Sequence, residues 1–288
     1  MAYPSEEKNK EVLDVSVVIC TKNAADTILE CLKSVKENNP KEIILVDAHS
    51  SDKTQEIAKP FVSKIVEDPG RGLAVARNCG LENATGKYIF YAGPDNIMPI
   101  GSIKACIDFL EKGGYVGVST QTYMKNSEGS YLSNIINLYK KARFFPGTRQ
   151  VIGTPQLFVS DVLRKLKFDN RMTCSDDTDL CYRLSKLNLK LAIADTFVYE
   201  VGTESTNSIK RRWKVYGLSD FEYYKKYSKD WSLKRKILSY LHPLRVELLE
   251  VILSNKLRFP EKVKILPFLI SITSLRYFYW LKFALKNK

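Results

Sequence analysis

Asp14-Val15-Ser16-Val17-Val18-Ile19-Cys20 and Glu42-Ile43-Ile44-Leu45-Val46-Asp47 are short, near-continuous apolar runs rich in β-branched residues. That is the pattern of strands covered on both faces. Between them, residues 25–37 place Ile28, Leu32 and Val35 on one helical face, with Asp26 near the start. The alternation continues outward, with a helix over 54–62, a strand over 64–66, a helix over 72–84, a strand over 88–91 and a helix over 101–112. Strands alternating with helices of this length predict an α/β fold with a parallel, doubly wound sheet. Ligands of such sheets bind at the carboxyl ends of the strands, where Asp47 and Asp95 fall.

After Val118 the alternation is lost. Residues 119–154 are polar and contain glycine, and read as a loop or irregular cover over the site. Strands are expected over 156–159 and 189–193, with an acidic helix over 177–186 between them. From Asn207 onward everything reads helical, over 207–229, 231–255 (broken at Pro243) and 261–286. The expected organisation is a flexible N-terminus over 1–13, a catalytic domain over 14–204 and a basic, aromatic-rich helical region over 205–288.

Charge supports that division. Residues 205–288 hold 19 Lys and Arg against 6 Asp and Glu, whereas residues 1–204 hold 26 of each. The whole net charge of +13 therefore lies in the C-terminal region. Such a block either is a solvated face or meets a polyanion, nucleic acid or an anionic membrane surface. Trp213, Tyr216, Tyr223, Tyr224, Tyr227, Trp231 and Tyr277-Phe278-Tyr279-Trp280-Leu281 run through it. That mixture fits a bilayer interface better than a nucleic-acid groove, so an anionic membrane is the expected partner and no nucleic acid. Residues 265–285 approach the ~20 residues of a spanning helix, but Arg276 and Lys282 interrupt them. A helix lying in the interface is expected, with packing against the domain and a true span as the alternatives. The six cysteines form no Cys-x-x-Cys pair and read as thiols, and residues 1–10 are too polar for a secretory leader. A peripheral protein with its catalytic face toward the cytosol is expected.

Three carboxylates crowd into Ser175-Asp176-Asp177-Thr178-Asp179-Leu180. Crowded carboxylates repel, so the cluster suits a site that holds a metal or takes a proton. Asp47 ends a strand ahead of Ser50-Ser51-Asp52-Lys53-Thr54 and can accept from a base edge or ribose hydroxyls, while Asp52 either joins it or caps the helix that follows. Asp95 in Gly93-Pro94-Asp95-Asn96 is either a turn residue or a ligand for Mg²⁺ or Mn²⁺ on a diphosphate. Arg71, between Gly70 and Gly72, and Arg77 offer cations to diphosphate oxygens; Arg77 pairing with a nearby carboxylate is an equal alternative.

These motifs together resemble the family 2 glycosyltransferases of the GT-A fold, a Rossmann-like, mostly parallel sheet flanked by helices. The resemblance rests on Ser16 to Asn23, Ile44 to Thr54, Ala76-Arg77-Asn78-Cys79-Gly80, Ala84 to Phe90, Asp95 to Pro99 and Asp176 to Leu180, and covers about 14–200. It implies inverting, metal-dependent transfer of a hexose from a nucleoside-diphosphate sugar. Thr21, Asp47, Asp52, Arg71, Arg77 and Asp95 would contact the donor, and Asp95 would hold the divalent cation. Asp177 would stand at the catalytic base with Asp176 beside it, and Asp179 would help to fix the helix start. Three departures stand out. Gly93 replaces the first acid of the Asp-x-Asp motif, Tyr199-Glu200-Val201 stands near where the family often has a His, and Arg212-Trp213 lacks the Gln of processive members.

An alcohol acceptor needs a base and a lipid phosphate does not, so Asp177 favours a hydroxyl. The reading is transfer from GDP-mannose or a UDP-hexose to a lipid-linked hydroxyl at a membrane surface, with Arg212 and Trp213 toward the acceptor or bilayer. A polyprenyl (dolichyl) phosphate acceptor is one alternative, and a non-catalytic sugar-nucleotide or membrane-binding module another. A nucleotidyltransferase would need a Gly-rich loop where Thr21-Lys22-Asn23-Ala24-Ala25 stands.

Overall fold

The computed structural model describes residues 11–125, 130–202 and 205–286. Most of the flexible N-terminus expected over 1–13, and the boundary expected at 204, lie outside the described residues; Leu13 already belongs to a strand. Four parallel strands open the fold, β1 (Leu13–Thr21), β2 (Pro40–Asp47), β3 (Lys64–Glu67) and β4 (Tyr88–Ala92), joined by α1 (Ile28–Glu37), α2 (Thr54–Ala58) and α3 (Leu73–Asn83). Val17, Ile19 and Leu45 pack toward α1, while Val18, Ile44 and Val46 pack toward α3. Burial on both faces is why these strands read as continuous apolar runs.

Beyond β4 come β5 (Asn96–Ile97), α4 (Ser102–Gly113), β6 (Gly117–Met124), α5 (Tyr131–Arg143), β7 (Gly147–Arg149), β8 (Gln156–Val159), α6 (Ser160–Leu166), α7 (Asp176–Lys186) and β9 (Leu191–Glu200). The sheet runs β3-β2-β1-β4-β8-β6-β9-β5, with β7 beside β9. It is mixed but mostly parallel, as expected: β8 is antiparallel to β4 and β6, and β5 and β7 are antiparallel to β9. The chain enters β8 at Gln156, opposite Tyr91 near the carboxyl end of β4, and so runs against its neighbours.

The loop expected over 119–154 is corrected, because the described part holds most of β6, α5 and β7. Ser119 and Thr120 are polar yet buried, so this strand carries no apolar signature. Ile135, Ile136, Tyr139 and Ala142 form a buried helical face within an otherwise polar stretch. α6 has no counterpart among the expected elements, α2 stops short at Ala58, and β9 continues to Glu200.

The C-terminal part comprises α8 (Thr206–Tyr227), α9 (Leu233–Tyr240), a π-helical stretch Leu244–Leu249, α10 (Glu250–Leu253) and α11 (Phe259–Lys286). α8 and α11 meet through Gly217, where a Cβ would stand 2.7 Å from the Arg276 carbonyl oxygen. Trp213, expected at the acceptor or membrane, is instead 1% exposed and packs among Tyr139, Tyr216 and Phe268. Its indole is a core element because α8 buries that face against α5 and α11.

Beside it lies a buried ionic network. The Arg276 guanidinium donates to both Asp220 oxygens at 2.6 and 2.8 Å and to Glu247, while Arg143 reaches Glu247 at 3.3 Å and the Tyr139 hydroxyl donates to it. Burial pushes the Glu247 carboxyl up, but Arg143, Arg276 and Tyr139 outweigh it and hold the group below its usual range. The arginine that interrupts the apolar sequence of α11 is thus part of the protein interior. No helix among the described residues is long and apolar enough to cross a membrane.

Removing the carboxylate would leave two buried guanidiniums short of a partner. Glu247→Ala is expected to lose about 3–5 kcal/mol of stability, read from the denaturation midpoint; a loss below about 1 kcal/mol would contradict the network's role.

Candidate active site

The carboxyl ends of β1, β2 and β4 carry the first set of expected residues. Thr21 lies beside Asp47 in the β1–β2 register, and its hydroxyl is buried without a hydrogen-bond partner. The buried Asp47 carboxylate accepts from the Ser50 N–H at 2.9 Å, the Ser50 hydroxyl at 2.6 Å and the Gln55 amide at 2.7 Å. Asp52 accepts from the Thr54 N–H at 3.0 Å and the Ala25 N–H at 3.1 Å. The Thr54 hydroxyl and these N–H groups hold its carboxyl below the usual range. Asn23 accepts from the Ser51 N–H at 2.8 Å, so the turns after β1 and β2 are laced into one ledge.

Arg71 is exposed in the turn before α3 and pairs with no carboxylate among the described residues. Gly70 and Gly72, at φ +71° and +107°, allow that turn, since other residues rarely adopt these angles. Arg77, six residues on, is buried inside the site. One guanidinium nitrogen donates to Asp176 and, at 2.7 Å, to Asp177 Oδ1; the other donates to the Thr154 hydroxyl. The carboxylate-pairing role weighed for it is the one seen, and the rings of Phe168 and Tyr91 flank the cation at 5.2 and 5.9 Å.

α7 delivers all three clustered acids in its first turn. Burial pushes the Asp176 carboxyl up to about 6; Arg77 opposes the shift and Asp177 adds to it. Asp177 Oδ1 also accepts from the Gln156 amide at 2.6 Å. Its Oδ2 makes no hydrogen bond among the described residues and faces Gly153, where even an added Cβ would stay 3.8 Å away. Two donors therefore fix one oxygen and leave the other open to take a proton. Asp179 points the opposite way, accepting from Arg183 at 2.8 Å, the Tyr227 hydroxyl at 2.7 Å and Lys226.

Asp95 follows β4, next to β5. Its carboxyl is pushed up chiefly by burial, then by Glu200 on β9. Glu200 is itself held by Lys140 at 2.6 Å and approached by Arg212 at 3.9 Å. A Cβ at Gly93 would stand 2.6 Å from Asp95 Oδ1, so the rotamer of Asp95 fills the room that a first acid would use. No cluster of three metal-binding side chains occurs among the described residues. Asp95 nevertheless fits a hard divalent cation: it is a half-buried carboxylate whose side-chain donor is a neutral amide, Asn96 at 3.2 Å. One carboxylate plus substrate phosphates is a common way to bind Mg²⁺.

Gln156 and Thr154 escaped the sequence reading. The signal for Gln156 was a polar residue heading the apolar strand Gln156-Leu157-Phe158-Val159, where it is fully buried. Nothing comparable marks Thr154.

Residues 16–169 match the family described as Glycosyl transferase family 2. An uncharacterized glycosyltransferase of Rickettsia conorii is 29% identical over 166 residues, 54% of this chain and 27% of its own length. The chain thus spans about a quarter of the first curated relatives it matches. Among solved structures, mannosyltransferase PcManGT from Pyrobaculum calidifontis, in complex with GDP-mannose and Mn²⁺, superposes with a TM-score of 0.64 at 17% identity, covering 96% of this chain and 88% of that one. TarS of S. aureus, in complex with UDP-GlcNAc, gives 0.55 at 15%, covering 92% and 89%. These two likenesses establish the fold as GT-A.

Because folding raises the Asp176 pKa from 3.8 to about 6, the folded state binds a proton that the unfolded chain has released. Stability contributed by this group is full below about pH 4 and lost as pH rises through about 6. Thermal melts across that window are expected to show this decline in the wild type and its absence in Asp176→Asn. Parallel curves would remove Asp176 as the titrating group.

Proposed function

The chain belongs to glycosyl transferase family 2, and we propose that it moves one hexose from a nucleoside-diphosphate sugar to a hydroxyl of a lipid-linked acceptor at a membrane surface, with inversion. The observation that carries this reading is Asp177, pinned through one oxygen by Arg77 and Gln156 with the other left open. In the proposed step the acceptor hydroxyl gives its proton to Asp177 Oδ2 as its oxygen attacks the anomeric carbon. The bond from that carbon to the diphosphate oxygen breaks, and the diphosphate leaves with the electron pair. A single displacement from the opposite face inverts the centre. An alcohol needs such a base at neutral pH, whereas a lipid phosphate is already ionised.

Asp47, Asp52 and Thr21 shape the ledge for the nucleotide, with Asp47 acting through the Ser50–Ser51 turn that it fixes. Arg71 stands free to meet diphosphate oxygens. Asp95 would hold Mg²⁺ or Mn²⁺, which when bound neutralises the leaving diphosphate. The two solved neighbours hold GDP-mannose and UDP-GlcNAc, so both GDP-mannose and UDP-hexoses belong among the donors to be tried.

An anionic bilayer as partner is supported by the basic C-terminal region together with exposed apolar side chains on α9 and α11, among them Leu233, Phe259, Val263, Ile270 and Leu285. On α11 the exposed Phe259, Val263, Leu266 and Ile270, and again Phe278, Leu281 and Leu285, recur at spacings of three or four residues away from the buried Ile265, Leu269 and Ile272. Arg212, which approaches Glu200 at 3.9 Å, would serve the acceptor or the bilayer.

Released diphosphate, followed with each donor plus Mn²⁺ and a lipid-linked glycan, is expected for one donor. Asp177→Asn should lower kcat by about 10²–10⁴-fold, the range for losing a general base, with little change in donor binding. Asp95→Ala should weaken Mn²⁺ binding measured by calorimetry with the nucleoside diphosphate present. Full turnover in Asp177→Asn would reject the base and favour a phosphate acceptor; no turnover with any donor would reject the reading.

A further inference from the structure

α7 begins abruptly. Its N-cap, Ser175, makes no side-chain cap to the helix, although the three acids that follow depend on that first turn for their direction. The Ser175 hydroxyl instead donates at 3.1 Å to Glu222 Oε2, on α8. The same oxygen accepts from the Cys174 N–H at 3.1 Å and the Thr173 N–H at 3.3 Å, and the other accepts from the Thr173 hydroxyl. One carboxylate thus gathers four donors of residues 173–175, leaving out the Ser175 N–H and the Cys174 thiol. Four and five residues further along α8, Lys226 bonds Asp169 at 2.7 Å and also Asp179, and the Tyr227 hydroxyl bonds Asp179 at 2.7 Å. A single face of α8 therefore holds both ends of the segment that presents Asp176 and Asp177.

We propose that Glu222 is a positioning residue for the transfer step, its carboxylate tying down residues 173–175 just ahead of α7 and so setting where Asp177 stands. This rests on the reading of Asp177 as the base. Two further observations support it. The donor ledge after β1 and β2 is held by its own bonds, none of them to α8, so Glu222 acts on the base side of the site alone. A cavity of about 380 Å³ also opens beside the clamp, between Arg171 and Met172 on one side and Leu218, Phe221 and Lys225 on the other. Glu222 lines that cavity and is half-buried, so its bonds to residues 173–175 lie at an open edge of the fold.

The test uses the full chain with Glu222→Ala and Glu222→Gln. Glu222→Ala is expected to lower kcat by roughly 30–100-fold, the scale of a misplaced catalytic group, with donor KM within about twofold. Glu222→Gln keeps the shape and part of the acceptor capacity and is expected to fall between. Amide hydrogen exchange, which needs no substrate, should quicken in the peptide covering 173–179 of Glu222→Ala and stay unchanged in those covering 21–25 and 47–55. Unchanged kcat in Glu222→Ala, or unchanged exchange at 173–179, would overturn the proposal. So would a loss of kcat accompanied by faster exchange across the whole chain, since that is a general loss of structure. A wild type that transfers no hexose from any donor would instead count against the assigned reaction, and the exchange result would still decide the clamp.

Discussion

One buried guanidinium, that of Arg77, faces two carboxylates. Asp176 and Asp177 cannot both be neutralised by a single cation, so the site retains an excess negative charge away from bulk water. The neighbours answer that imbalance. Gln156 adds a neutral donor to the more exposed acid, and burial leaves the deeper acid easier to protonate. The arrangement sorts two chemically identical side chains into unlike partners, one deep and readily protonated, the other held by two donors with an oxygen free. Arg77 is itself fixed by Thr154 and two aromatic rings, so the balance depends on α3, α7 and the entry to β8 arriving together.

That dependence explains what the sequence disclosed. The first four strands and their helices were legible because they are buried on both faces, and a continuous β-branched run has few other meanings. Asp47, Asp95 and the acidic turn were legible because each acid ends a strand or opens a helix. The second half of the sheet was not, since Ser119, Thr120 and Gln156 are polar residues in the interior, where composition points outward. Register across β8 is a tertiary fact: nothing in residues 156–159 says that they run against β4. Glu222 lies 47 residues from Ser175, a separation at which no local pattern survives.

The C-terminal region illustrates a different limit. Its positive charge is real, but several of the cations are paired with carboxylates, and one of them is buried. Arg276 lies between Asp220 and Glu247, Lys226 between Asp169 and Asp179, and Arg212 beside Glu200. Net charge counts these with the solvated lysines and cannot separate them. Trp213 was likewise read as an interface aromatic by its company, whereas α8 turns it inward. The region is continuous with the catalytic half through α5, so the helices that would rest on a bilayer also brace the sheet.

Gly93 has a consequence for how this site can change over generations. An acid at that position would collide with the present Asp95 side chain, and Asp95 would have to swing aside before a second carboxylate gained a place. An acid introduced at 93 alone therefore needs a shift of the Asp95 side-chain end, which couples the two positions in any substitution.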